Sequence, residues 1–187
     1  MDFTEFVLSQ LPAPPGRVLE VGCGRGELAL ALDARGYEVV AVDPEAPEGP
    51  IFRRTTIEEL DDPRPFDRAV ASFSLHHVSD LDRALDKLVG LLATDGLVIV
   101  DEFGWDLLDK MTAARYNLDR REWEAEHADL HGFQHLRDGL ERRFSEHHFS
   151  WEPYLSRHVA LDEDEERRLI QAGEIPALAF RFVGSPR

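Results

Sequence analysis

Residues 18–30 read VLEVGCGRGELAL, and residues 41–44 read AVDP. RVLEV (17–21) is a compact run of β-branched residues and leucine that enters the glycine cluster GCGRG (22–26). ELALALDARG (27–36) then has helical periodicity and closes on Gly36. Together these segments predict a strand, a tight loop and a helix. YEVVAVD (37–43) is a second buried strand that ends on an acid, with Pro44 and Pro47 marking the turn after it.

The same alternation continues outward. Residues 2–10 place Phe3, Phe6, Val7 and Gln10 on one helical stripe, which Pro12, Pro14 and Pro15 stop. A short strand is expected at 51–54, followed by the acidic turn TIEEL, and FDRAVAS (66–72) is a further strand. LDRALDKLVGLL (81–92) is a helix, and Asp95-Gly96 turns the chain into LVIVDEF, a fifth strand. Strands alternating with helices imply a parallel sheet joined by right-handed crossovers. Residues 105–143 are helical and more polar, an insertion-like cap. Then FSEHHFSW (144–151) is an exposed strand, EDEERRLIQAG (163–173) a helix, and ALAFRFV (177–183) the last strand. The expectation is one α/β domain over 1–187, a Rossmann-like, doubly wound sheet of seven strands.

A glycine-rich turn lets backbone approach a ligand closely, and an acid at the tip of the next strand accepts both hydroxyls of a ribose. An adenosyl group is implied. The glycines Gly22, Gly24 and Gly26, preceded by Glu20, give an ExGxGxG spacing that resembles the first motif of class I S-adenosylmethionine-dependent methyltransferases more than the dinucleotide fingerprint. A pyrophosphate-binding loop needs the helix N-terminus free of negative charge, and Glu27 stands there. Methionine's ammonium instead needs acceptors, which the Gly22 carbonyl and Glu20 provide.

The resemblance covers about residues 15–103 and points to the small-molecule branch related to ubiquinone and menaquinone methyltransferases. It implies S-adenosylmethionine as cofactor, S-adenosylhomocysteine as product and a last strand inserted antiparallel. It also implies Asp43, followed by Pro44, at the ribose, and Thr56, Ile57 and Glu58 flanking adenine. Ser72 falls beside the methionine moiety, and FSLHHVSDLDRAL (73–85) matches the family's following segment. Thr56 departs from the pattern, since the family commonly has Asp there, which leaves the adenine contact to the Ile57 amide or to Glu58. Cys23 is read as a small residue of the cofactor loop. The alternative reading is a non-catalytic module that binds the cofactor and acts through a partner. A nucleotide-linked oxidoreductase is disfavoured by the glycine spacing.

Methyl transfer is an in-line displacement whose leaving group is neutral, so a base is needed only when the acceptor must lose a proton. His77 and His76 follow the fourth strand at the ligand-binding edge, with Glu102 and Trp105 beyond the fifth strand on the other side. His77 is a catalytic candidate and His76, Glu102 and Trp105 are substrate candidates, and packing roles stay open for the histidines and tryptophan. His127, His131 and His135 recur at four-residue spacing, which on a continuous helix places them on one face. They read as a base (His131, with His127 one turn before it), as a packed or solvated face, or as two ligands of a metal site for which further ligands are missing; no metal is assigned.

The formal charge of −16 repels polyanions, so nucleic-acid methylation is disfavoured and a small-molecule acceptor is expected. The sequence has no membrane-length apolar run and no basic leader, and the single cysteine, Cys23, cannot form an internal disulfide. A cytoplasmic location follows. Nineteen of the 21 basic residues are arginine, the exceptions being Lys87 and Lys110, a bias that suggests a GC-rich bacterial genome. The oligomeric state is not legible in the sequence.

Overall fold

The computed structural model describes residues 2–187. Its elements, in chain order, are α1 (Phe3–Gln10), β1 (Arg17–Val21), α2 (Glu27–Asp33), β2 (Glu38–Val42), β3 (Phe52–Arg53), β4 (Phe66–Ser72) and α3 (Leu81–Leu91). They continue with β5 (Leu92–Phe103), α4 (Lys110–Arg115), α5 (Arg120–Glu126), α6 (Phe133–Arg143), β6 (Phe144–Glu152), α7 (Glu163–Gln171) and β7 (Ala179–Pro186). Single 3-10 turns stand at Leu75–His77, Trp105–Leu107 and Leu155–Arg157.

Among the described residues the strands form one seven-stranded sheet in the order β3-β2-β1-β4-β5-β7-β6. The pairings from β3 through β5 are parallel, and β7 runs antiparallel to both of its neighbours. The expected doubly wound architecture is therefore present, including the antiparallel last strand. β5 starts earlier than its sequence suggests. Asp95-Gly96 lies where the register slips from Phe66↔Leu92 to Arg68↔Leu97, so it is an irregularity within the strand rather than a turn before it.

Alternate residues of the central strands feed two cores. Leu19, Val40, Ala71 and Val100 face α3 and α6, whose Leu85, Leu88, Leu136 and Leu140 are buried with them. Val18, Val39, Val70 and Ile99 face α1 and α2 through Phe6, Val7, Ala29 and Leu32. With both faces covered, all five residues of β1 are buried, which is why it reads as an apolar run rather than as an alternation.

Five helices begin behind aspartates, Asp2, Asp80, Asp109, Asp119 and Asp162, whose carboxylates accept first-turn amides. Part of the acidic excess is thus spent on helix starts, where the dipole favours negative charge. Among the described residues no helix is long and apolar enough to cross a membrane.

The cap differs from the expected 105–143. α6 is a flanking helix of the sheet, since Leu136 and Leu140 lie in the main core against α3. Gly139 permits that close packing, because a Cβ there would stand 2.8 Å from Leu85. The cap proper comprises the segment through α4 and α5 and a second one between β6 and β7, joined in a separate core. Trp123, Leu108 and Ala113 from the first segment meet Leu155, Leu169 and Ile175 from the second. A polar, charged helix such as α7 gives little hint in sequence that Leu169 docks this way.

The second segment is held by Glu166, fully buried, whose carboxylate accepts the amides of Tyr154, Leu155 and Ser156 at 2.7, 2.8 and 2.7 Å. Removing that acceptor strands three amides. Glu166→Ala should therefore lower the unfolding free energy by about 3 kcal/mol in urea denaturation. A loss under about 1 kcal/mol would show that the turn does not depend on this carboxylate.

Candidate active site

At the carboxyl ends of β1, β2 and β4 a cleft of about 800 Å³ opens. The glycine loop forms its floor. The Gly22 and Cys23 amides both donate to the Val42 carbonyl, at 2.8 and 3.1 Å. The Gly24 amide donates to Asp43 Oδ2 at 3.0 Å, and the Gly26 amide to the Cys23 carbonyl at 2.8 Å. These four amides are therefore spent inside the protein.

Two of the glycines are required for different reasons. Gly22 has φ of +70°, and any Cβ there would run into the Cβ of Ser74. Gly24 has φ of +50° and open space where its Cβ would be, so a side chain there would occupy the cleft itself. Asp43 crosses from β2 to the loop, and its Oδ1 also accepts the Glu45 amide at 2.8 Å. Each oxygen of Asp43 keeps a lone pair for a ligand hydroxyl.

Glu20 lies behind the loop, 6% exposed, with Oε2 lacking any hydrogen-bond partner. Burial, with the nearby Asp43 charge adding to it against a bond from the Ala29 amide, pushes its pKa up to about 7. An orphaned buried carboxylate oxygen fits the ammonium of a methionine moiety. Cys23 is buried in the core between the loop and α1, outside the cleft lining, and its thiol is pushed up to about 12 by burial and the neighbouring Glu20, so it is not a thiolate at neutral pH. Gly26, also outside the lining, caps α2 in a left-handed conformation against the Phe52 ring.

The opposite wall is the segment after β4. Phe73, Ser74, His77 and Val78 line the cleft, and Ser72 does not. Ser74 Oγ donates to the Val21 carbonyl at 2.8 Å, binding this wall to the loop. Thr56, Ile57 and Glu58 line the far end together with Thr55, and Pro44 and Glu45 complete the side near Asp43. The structure thus brings Gly22, Gly24, Asp43, Pro44, Thr56, Ile57, Glu58 and His77 to one cleft.

The buried Glu102 positions that wall. Its Oε1 accepts the Ser74 and Leu75 amides at 2.8 and 2.6 Å, while Oε2 accepts the Phe103 amide at 3.2 Å and the ring N–H of His76 at 2.5 Å. Four donors fill this carboxylate, and His76 is buried beside it. Neither faces the cleft, so the expected substrate contacts of Glu102 and His76 are replaced by a supporting role.

The other expected residues also lie outside the lining. Trp105 packs with the cap core, and its Nε1 donates to the Leu130 carbonyl at 3.2 Å. His127 ends α5, with Nδ1 at 2.7 Å from the Trp123 carbonyl, whereas His131 and His135 belong to the next loop and helix. The expected continuous helix is broken, so the three rings do not form one face. His131 donates its amide to the His76 carbonyl at 3.0 Å and its Nε2–H to the Val78 carbonyl at 2.8 Å, clasping the cap to the cleft wall.

His77 remains as the histidine on the cleft wall. Its ring has no hydrogen-bond partner among the described residues and lies 4.1 Å from that of His76. Partial desolvation, with the His76 ring beside it, holds its pKa below the ordinary 6.5.

The methyltransferase-domain family profile matches residues 1–152. The chain belongs to this family. Its fold is that of the class I S-adenosylmethionine-dependent methyltransferases. A solved S-adenosylmethionine-dependent methyltransferase from Methanosarcina mazei superimposes with a TM-score of 0.67 at 19% identity, covering 98% of each chain. Among curated relatives, an uncharacterised methyltransferase from Staphylococcus carnosus is 32% identical over 110 residues, 54% of this chain and 53% of its own. A ubiquinone biosynthesis O-methyltransferase from Bradyrhizobium is 34% identical over 97 residues, 45% of this chain and 38% of its own. The chain therefore spans about half or less of the length of these two curated relatives.

Glu20 yields a prediction independent of any ligand. A folded-state pKa above the ordinary 4.5 means that the native state holds the extra proton between pH 4.5 and about 7, so this group weakens stability as pH rises through that window. Glu20→Gln should match wild type near pH 4 and exceed it by about 3 kcal/mol above pH 7 in denaturant unfolding. A difference that does not vary with pH would contradict the burial of a titrating Glu20.

Proposed function

We propose that the chain transfers a methyl group from S-adenosylmethionine to a small-molecule acceptor within the cytoplasm. The observation that carries this reading is the state of the glycine loop. A dinucleotide site needs loop amides free for a pyrophosphate, and here those of Gly22, Cys23, Gly24 and Gly26 are already bonded to protein oxygens. Carbonyls and the orphaned oxygen of Glu20 suit a cationic ligand end instead.

Asp43 holds the ribose, Thr56, Ile57 and Glu58 flank the adenine, and Gly22 with Glu20 takes the methionine ammonium. When bound, S-adenosylmethionine supplies the electrophilic methyl and a neutral leaving group. The chain's own contribution is alignment, with roughly 7–11 kcal/mol available in the best-oriented reactions. His77, neutral at pH 7 and free at both ring nitrogens, is the base for an acceptor that must lose a proton, and His76 and Glu102 position the segment carrying it.

Two measurements check these roles. Asp43→Ala should weaken S-adenosylmethionine binding by about 10- to 150-fold in calorimetry, the worth of charge-assisted hydrogen bonds, and an unchanged dissociation constant would remove the ribose from Asp43. With an acceptor that must lose a proton, His77→Ala should keep cofactor affinity while turnover drops by about 10²- to 10⁴-fold. A drop smaller than about tenfold would leave His77 as a wall residue only.

A further inference from the structure

Arg157 stands in the 3-10 turn Leu155–Arg157, the cap segment locked by Glu166. Its guanidinium carbon lies 4.6 Å from the ring centroid of Phe73 and 5.2 Å from that of Tyr154. Phe73 is itself part of the cleft wall, so this cation sits on a residue of the methyl-transfer cleft. Among the described residues Arg157 makes no ion pair and its side chain no hydrogen bond. It is exposed, and unlike Arg17, Arg64, Arg137 and Arg143, which are bonded to carboxylates, its contacts are with aromatic rings that belong to or adjoin the cleft wall.

Two buried carboxylates of β5 face other donors. Glu102 is filled by four donors, and Asp101 is paired with Arg181. Stacking on two aromatic faces orients the guanidinium plane and leaves its N–H edges free, the geometry that suits bidentate recognition of a carboxylate or phosphate. The Tyr154 hydroxyl also has no partner among the described residues, and the ring stacks on Phe103 at 4.1 Å.

Phe73 supplies an independent observation. It has φ of +48°, a left-handed conformation that bulky aromatic residues rarely adopt. Its amide is held by the Asp101 carbonyl at 2.8 Å, and its ring meets Tyr154 at 5.3 Å. Backbone strain of this kind gathers at ligand sites, where the surrounding structure over-determines the conformation. Here it holds a ring that both lines the cleft and carries the Arg157 guanidinium against it.

We propose that Arg157, with Phe73 and Tyr154, forms the acceptor subsite, and that the acceptor is a small molecule carrying an anionic oxygen group, carboxylate or phosphate, on an apolar or aromatic body. The body lies along Phe73, the anion bonds to Arg157 and Tyr154, and the methyl-accepting atom is directed toward His77. This rests on the methyltransferase reading above.

The test titrates benzoate, phenyl phosphate and the neutral benzamide into the full chain saturated with S-adenosylhomocysteine. Saturation is measured first, so a failure of the cofactor reading appears as absent S-adenosylhomocysteine binding, apart from any result with the anions. At least one anion should bind about tenfold or more tighter than benzamide, and the stronger of the two identifies the group as carboxylate or phosphate. Arg157→Gln should abolish that preference with S-adenosylhomocysteine affinity unchanged, while the exposed Arg83→Gln control should keep it. Equal binding of benzamide and both anions, or an anion preference that survives Arg157→Gln, would overturn the proposal.

Discussion

The cleft depends on one buried carboxylate. Glu102 leaves β5 inside the protein and gathers the amides of Ser74, Leu75 and Phe103 and the ring of His76. Those bonds fix the turn after β4, so Ser74 can reach the Val21 carbonyl and close against Gly22. The same turn carries Phe73 and His77 to the cleft. An apolar residue at 102 would leave these buried donors without an acceptor, each costing about 1–3 kcal/mol. Glu166 repeats the device in the cap, where one carboxylate takes three consecutive amides and holds the turn that bears Arg157.

Glu20 shows the opposite economy. Its Oε2 is buried without a partner, and burial lifts its pKa to about 7. A protein selected for stability alone would fill or remove such a group, whereas a site for a cation keeps it. The neighbouring loop agrees in sign, because the amides of Gly22, Cys23, Gly24 and Gly26 are satisfied within the protein. Asp43 joins the two halves by accepting Gly24 and Glu45 amides while keeping acceptor capacity on the cleft side.

Much of this was legible in the sequence because the signals were local. The apolar run RVLEV, the glycines at two-residue spacing and the acid at 43 all act within one strand-loop-strand unit, and the structure assembles them as that pattern predicts. Burial on both sheet faces likewise left its mark as apolar strands. Long-range contacts were not legible. The polar face of α6 suggested a cap, whereas Leu136 and Leu140 dock on the main core through the gap left by Gly139. The spacing of His127, His131 and His135 implied one helical face, and the chain breaks between them. The wall after β4 uses Phe73 and Ser74 where Ser72 was expected, a shift set by the unusual φ at Phe73 that periodicity does not encode. Glu102 and Glu166 carry no motif, since their function is to accept amides distant in sequence.

The most direct measurement is a crystal structure of the full chain grown with S-adenosylhomocysteine. The ribose hydroxyls should lie on Asp43, the adenine against Thr56, Ile57 and Glu58, and the amino group of the homocysteine end at the Gly22 carbonyl with Glu20 behind it. Electron density for the adenosyl group elsewhere, or none at saturating ligand with the glycine loop unchanged, would contradict the assignment of this cleft.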